Sequence, residues 1–349
     1  MSRPVLLLTP SRGLGGGIER YSATLEWSFA ARNVEYWRAD LDGPGPAAHL
    51  RLLKRARRLL GHGDRPARLV LAHRALLPIA SLLAREARTE GVSVICHGAE
   101  VWGDTSRPRW QMERCLMRHP GVRAVAVSSY TAGTLARVRP AAVLPPGLSL
   151  DWRETLLKAA GASAPSRPGI NLVTAFRLSD WRDKGLPELL TAVKTIRRPD
   201  ITVTVCGTGV TAPGLTQLVR RYPWCRVRAG LSDWELARAF ADADLVVLAT
   251  RTRLGRRPCG EGFGMVLLEA QVAGTPVVGP AFGGSHDAFI DQVTGAAPTG
   301  ESARELAAVL SELLASPARL AQMGRQARAW AREFSDPRRY AELAVERLL

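Results

Sequence analysis

The chain has 349 residues, 46% of them hydrophobic, which is enough for one large domain or two ordinary ones with full cores. Its formal net charge of +16 comes almost wholly from arginine, with lysine only at 54, 158, 184 and 194. Such a charge suits nucleic acid, anionic membrane or an anionic substrate, and the lack of any helix-turn-helix, zinc-finger or RNA-recognition pattern argues against nucleic acid.

No apolar run approaches the roughly 18 residues of a membrane span. The run Val5 to Leu8 is shorter than a signal-peptide core and reads as a first strand. Cys96, Cys115, Cys206, Cys225 and Cys259 form no C-x-x-C pair and no zinc spacing. They read as free thiols, which points to a reducing cytoplasm.

Strand-like runs alternate with helical patterns along the whole chain. Val5–Thr9, Val34–Arg38, Leu69–Ala72, Val92–Cys96 and Ala124–Val127 form one expected series. Ile170–Ala175, Ile201–Cys206, Arg226–Ala229, Leu245–Ala249 and Pro276–Gly279 form a second. Each gap has room for one helix, so the pattern is that of βαβ units and parallel sheets. The rhythm pauses at Leu144-Pro-Pro-Gly147 and again over 162–168, where Pro, Ser and Ala cluster. This places a Rossmann-like domain at 1–160, a second at 161–335, and a final helix at 336–349.

Four stretches carry chemistry. Ser11-Arg-Gly-Leu-Gly-Gly-Gly-Ile-Glu-Arg20 follows the first strand and opens a helix. Its glycines suit either a flexible turn or a close approach to a ligand phosphate, but it lacks the G-x-G-x-x-G register of a dinucleotide fold. Residues 47–60 form an amphipathic helix, with Leu52, Leu53, Ala56, Leu59 and Leu60 opposite Arg51, Lys54, Arg55 and Arg58. It is either a solvated surface helix or a contact for anionic lipid. His97 follows a strand end, where α/β folds bind ligands. Asp242-Ala-Asp244 has the metal-binding D-x-D form but precedes a strand, and reads as capping.

The densest stretch is Glu261-Gly-Phe-Gly-Met-Val-Leu-Leu-Glu269. Met265 onward reads as a helix stopped by Gly274-Thr-Pro276. Helical geometry would put the two Glu Cα atoms roughly 12 Å apart, too far for an acid–base dyad and suited to two ends of one elongated ligand. The turn Gly262-Phe-Gly264 leaves N–H groups free at the helix start, where an anion is favoured. Together they suggest a nucleotide sugar.

This stretch resembles the Glu-x7-Glu motif of the retaining glycosyltransferases of family four, also called glycosyltransferase group 1. The resemblance extends upstream to Ala249-Thr-Arg-Thr-Arg253 and downstream through Gly274-Thr-Pro-Val-Val278 to Gly283-Gly284. It implies the GT-B fold, two Rossmann-like domains facing across a cleft with the last helix returning to the first. It implies that Glu261 faces the transferred sugar and Glu269 the ribose, and that Gly16 and Gly17 contact donor and acceptor. His97 of His97-Gly-Ala-Glu100 would point at the sugar, with Asp104, Arg107 and Arg109 near the acceptor. Arg177 and Lys184 would hold the diphosphate, assisted by Gly262, Phe263, Gly264 and the amides of Met265 and Val266. The seven-residue spacing from Arg177 to Lys184 exceeds the commoner family spacing, which leaves Arg182 as a rival to Lys184. His286 and Asp287 depart from the family's Pro and Glu.

The implied activity is metal-independent retaining transfer of a hexose-type sugar from a nucleoside-diphosphate donor to a hydroxyl of a lipid, polysaccharide or secondary metabolite, with no cofactor. Thr250–Arg253 and Glu261–Gln271 are similar to phosphatidylinositol mannosyltransferases, which favours a GDP-linked over a UDP-linked donor and fits peripheral contact with an anionic membrane. A sugar-nucleotide epimerase of the same fold and a non-enzymatic basic binding protein are the rival readings.

Overall fold

The computed structural model describes residues 3–10, 17–86, 88–103, 107–162, 169–255 and 258–349. The chain divides into two compact units. The first comprises residues 1–149, 254–258 and 336–349; the second comprises 150–253 and 259–335.

The first unit is built on a parallel sheet of six strands: β1 (Val5–Thr9), β2 (Tyr36–Asp40), β3 (Ala67–Leu71), β4 (Thr89–Cys96), β5 (Val122–Ala126) and β6 (Ala141–Val143). Their order is β2-β1-β3-β4-β5-β6. All five residues of β1 and of β3 are buried, as central parallel strands require when helices cover both faces. The helix Pro46–His62 buries Ala48, Leu52, Leu53, Ala56 and Leu60, and these join the sheet core beside Leu6, Leu8 and Leu69. The final helix, Pro337–Leu348, packs against Gly17–Ala31, and Ser93 Oγ donates to the carbonyl of Leu348 at 2.6 Å.

The second unit repeats the plan with β7 (Ile170–Arg177), β8 (Ile201–Thr208), β9 (Cys225–Ala229), β10 (Leu245–Val247), β11 (Val277–Val278) and β12 (Gly295–Ala296). The order is β12-β11-β10-β7-β8-β9, again all parallel. The helix Leu150–Gly161, which the sequence groups with the first domain, lies in this unit. It packs on the helices Asp233–Ala241 and Met265–Val272, with Trp152 and Leu156 buried.

Most expected strands occur within two or three residues of their predicted ends. The second strand starts at Tyr36 because Asn33 turns with φ +52° before it. β6 and β12 were not anticipated; Ala141-Ala-Val143 and Gly295-Ala296 lack the β-branched run that marks the equally short β10 and β11.

Candidate functional site

The second unit gathers its polar groups at the carboxyl ends of β7 and β10, the edge where open parallel sheets bind ligands. Arg177 is the last residue of β7, paired in register with Thr208 of β8. Its side chain is exposed, and among the described residues it has no ion-pair partner. A short 3-10 turn, Leu178–Asp180, follows, and the backbone N–H of Lys184 donates to Asp180 O at 2.9 Å.

Gly185 then fixes where Lys184 points. Its φ is +69°, and a Cβ there would lie 1.8 Å from the carbonyl oxygen of Ala249. Only glycine lets the lysine turn lie this close to the chain leaving β10. As a result Lys184 Nζ donates to Glu261 Oε2 at 2.8 Å, and Thr250 Oγ1 donates to the same oxygen at 3.1 Å. Both charged side chains keep a face to solvent, 24% for Lys184 and 15% for Glu261. Burial works against the ammonium, but the charge and hydrogen bond of Glu261 outweigh it and hold Lys184 above the ordinary lysine pKa. Arg182, the rival cation, stacks on the ring of Trp181 at 4.1 Å; Trp181 is itself buried.

Glu261 lies before the helix rather than on it, so the helical spacing expected between the two glutamates does not hold. The helix is Met265–Val272, entered through Gly264 at φ +83°. A Cβ on Gly264 would press on Leu267 and Ser285 at 3.2 Å and on Glu261 Cγ at 3.4 Å. From the other side Gly284 N–H donates to Glu261 O at 2.8 Å, and Gly283 (φ +107°) leaves no room for a side chain against that carbonyl. The carboxylate is therefore aimed by its backbone. The first-turn N–H groups of Met265 and Val266 have no intrahelical acceptor; both residues are partly exposed.

Phe263 has a different part. It is buried, and its ring stacks on Phe334, which stacks on Trp330. The ring anchors the loop, and the part expected of this turn belongs to its backbone N–H groups. Glu269 is also buried, 4% exposed, and its Oε1 accepts from Trp152 Nε1 at 3.0 Å. The sequence reading missed Trp152, because its partner lies 117 positions away. Both carboxylate oxygens of Asp242 accept from Arg238 Nη2, and Asp244 accepts from the N–H of Asn171. They sit at the amino end of β10, away from the carboxyl-end cluster of their own sheet.

In the first unit His97 follows β4. Its Nε2 lies 2.7 Å from the carbonyl of Ala72, and its N–H donates to Glu100 Oε1. As that carbonyl can only accept, Nε2 is the donor, and in the neutral tautomer this leaves Nδ1 as acceptor. The ring stacks on His73 at 6.1 Å and meets the edge of Tyr21 at 5.4 Å. His73 accepts from the N–H of Ala75, and burial lowers its pKa to about 4, against a smaller upward pull from Glu100. Neither His73 nor its stacking on His97 was foreseen. Arg109 pairs with the buried Glu113. Gly17 opens its helix, and a Cβ placed there would meet nothing within 4 Å; Gly16 and Asp104 lie outside the described residues.

The helix Pro46–His62 turns its apolar stripe into its own sheet, while Arg51, Lys54, Arg55 and Arg58 face outward. It offers an anionic surface charge contacts and not that apolar stripe. Among the described residues no helix is long and apolar enough to cross a membrane, and all five cysteines are free.

Comparison with known proteins gives this geometry a context. Residues 172–330 match the family model "Glycosyl transferases group 1". The chain is 32% identical over 281 residues to a GDP-mannose-dependent alpha-(1-6)-phosphatidylinositol monomannoside mannosyltransferase of Mycolicibacterium smegmatis, covering 74% of this chain and 70% of that protein. It is 31% identical to a D-inositol 3-phosphate glycosyltransferase of Segniliparus rotundus, covering 61% of this chain and 49% of that one. Among solved structures, Anabaena HepE in complex with UDP and glucose aligns with a TM-score of 0.74 at 17% identity over 99% of both chains. WaaG, a glycosyltransferase involved in lipopolysaccharide biosynthesis, aligns at 0.65 and 18% over 98% of both. These two share the GT-B fold with it. The chain belongs to the glycosyl transferases group 1 family: it is a glycosyltransferase that draws its sugar from a nucleotide-sugar donor.

Proposed function

We propose that this enzyme is a retaining hexosyltransferase whose second unit holds the donor without a metal ion. The observation that carries the reading is the Lys184–Glu261–Thr250 cluster beside the unpaired Arg177 at the carboxyl ends of β7 and β10. Arg177 and Lys184 take the diphosphate, Arg by a forked pair of bonds and Lys as a point charge. The amides of Met265 and Val266 assist at the helix start. Glu261 binds sugar hydroxyls. Glu269 binds the ribose, its orientation set by Trp152. His97 offers the substrate the Nδ1 acceptor that its bond to Ala72 leaves over.

As the glycosidic bond breaks, negative charge grows on the departing nucleoside diphosphate, and fixed cations lower that barrier. The departing phosphate takes the proton of the attacking hydroxyl on the same face, so no protein nucleophile is assigned. The mycobacterial relative's GDP-mannose dependence favours a GDP-linked donor here. Its phosphatidylinositol monomannoside substrate favours a lipid acceptor, met at the membrane surface by the outward cations of Pro46–His62.

The test is calorimetric titration with UDP, GDP, dTDP and ADP without added metal, followed by analysis of the product anomer. One nucleotide should bind, and its sugar should be transferred with retention to a phosphatidylinositol mannoside. A folded protein that binds none of the four, or an inverted product, overturns the reading.

A further inference from the structure

At the amino ends of β3, β4, β5 and β6 the first unit contains a polar cavity of about 680 Å³. Parallel sheets seldom bind substrate at this edge, and His97 follows the opposite end of β4. Arg68, Arg123, Arg139 and Arg347 line it, with Glu90 and Glu346.

The counter-charges do not balance. Glu90 is engaged by Arg3 at 2.9 Å, and Glu346 by Arg347 at 3.5 Å. Arg68 is 8% exposed, yet its side-chain bonds go only to Ser93 Oγ and the carbonyl of Glu90. Arg123 donates to the carbonyls of Glu346 and Arg347, and Arg139 to those of Met117, Arg118, His119 and Pro120. Among the described residues none of these three guanidinium groups has a carboxylate within 4.0 Å. Carbonyls orient a guanidinium but carry no net charge to cancel it. Three like charges share one concavity, one of them almost wholly out of water, and that is unfavourable without an anion. Burial and the neighbouring Arg123 and Arg3 lower the Arg68 pKa, with Glu90 opposing, consistent with that unrelieved repulsion.

We propose that this cavity binds a phosphorylated small molecule, with Arg68 and Arg123 as its phosphate ligands, separately from the donor site of the second unit. Arg139 adds field from the rim. The volume exceeds what inorganic phosphate needs and suits a phosphate carrying a polyol or sugar body.

The experiment titrates the full chain with inorganic phosphate and with glucose 6-phosphate by calorimetry, and with vesicles containing phosphatidic acid by co-sedimentation. Wild type is compared with Lys184→Ala, which disables the donor-site phosphate contact, and with Arg123→Gln and Arg68→Lys. The expected result is glucose 6-phosphate binding that survives in Lys184→Ala and weakens about tenfold or more in Arg123→Gln, the loss of one charged hydrogen-bond donor. Arg68→Lys keeps the charge without the fork; it should fold and bind more weakly than wild type. Vesicle binding that falls in Arg123→Gln while glucose 6-phosphate stays silent would identify a lipid headgroup as the source of the phosphate. Affinity that falls in Lys184→Ala but not in the arginine variants overturns the proposal, as does a folded wild type that binds none of the probes.

Discussion

The two units place cations at opposite edges of similar sheets and treat them differently. At the carboxyl edge of the second unit Lys184 faces Glu261, Arg251 faces Glu188 and Arg253 faces Asp183, each within salt-bridge distance. At the amino edge of the first, Arg68, Arg123 and Arg139 are held by carbonyls and a hydroxyl. A carboxylate partner sets a cation's direction and also cancels its charge; a carbonyl does only the first. Of the two cations proposed for the diphosphate, Lys184 is paired within the unit and Arg177, among the described residues, is not. The first unit's cavity carries a charge that something else must offset.

The sharpest way to break this contrast is to remove the paired lysine. Lys184→Ala should lower kcat by about 10²–10³-fold, the usual cost of losing one group that stabilises developing charge. Arg182→Ala, which removes a cation stacked on Trp181, should leave turnover near wild type. Equal losses in the two variants would show that Arg182 shares the diphosphate. Circular dichroism and thermal melting separate these effects from misfolding.

Next in size is the backbone that aims the lysine. Gly185→Ala puts a methyl group against the Ala249 carbonyl, and should cost about 3 kcal/mol or more in urea unfolding, with donor affinity lost in parallel. A comparable effect follows from pH in the first unit. His73 titrates near 4 when folded and near its ordinary value of 6.5 when unfolded. Between those values the unfolded chain binds the extra proton. Stability is then complete above about pH 6.5 and falls as pH drops toward 4, by about 3 kcal/mol at most. His73→Asn keeps a cap acceptor and should flatten that slope. For Lys184 the sign is opposite: its raised pKa gives stability that is present below the unfolded lysine value and lost as pH rises through the folded one.

Smaller effects complete the series. Trp152→Phe removes a hydrogen bond to the buried Glu269 carboxylate, costs about 1–3 kcal/mol, and should raise the donor KM more than it lowers kcat. Gly17→Ala meets open space and should change stability by less than about 0.5 kcal/mol. A large loss of donor affinity there would mean that the expected ligand contact at this loop is intimate.

Much of this was legible because the signals are local. Val, Ile and Leu runs marked both strand series; the resemblance named Arg177 and Lys184 from one local stretch and Glu261 from another, and the structure brings Lys184 against Glu261. The stacking of Phe263 on Phe334 was not legible, because the two rings are widely separated in sequence. Trp152, His73 and the arginine cavity were invisible for a related reason. Each depends on partners far apart in the chain, and β6, which brings the Arg139 region to the cavity, is three residues long. The helical distance drawn between Glu261 and Glu269 failed because Gly264 breaks the geometry it assumed.

The Lys184–Glu261 pair has a consequence for how the enzyme responds to its medium. A protein with a net charge of +16 would be expected to lose anionic ligands steeply as salt rises. At the donor site, however, the lysine already has an internal counter-ion, so a nucleoside diphosphate displaces little bound salt there beyond Arg177's share. Donor affinity should therefore vary only gently with ionic strength, while contacts made by the outward cations of Pro46–His62 fall away within the range over which the Debye length shrinks from about 30 to about 8 Å. One chain would then hold its donor under conditions that release it from an anionic surface.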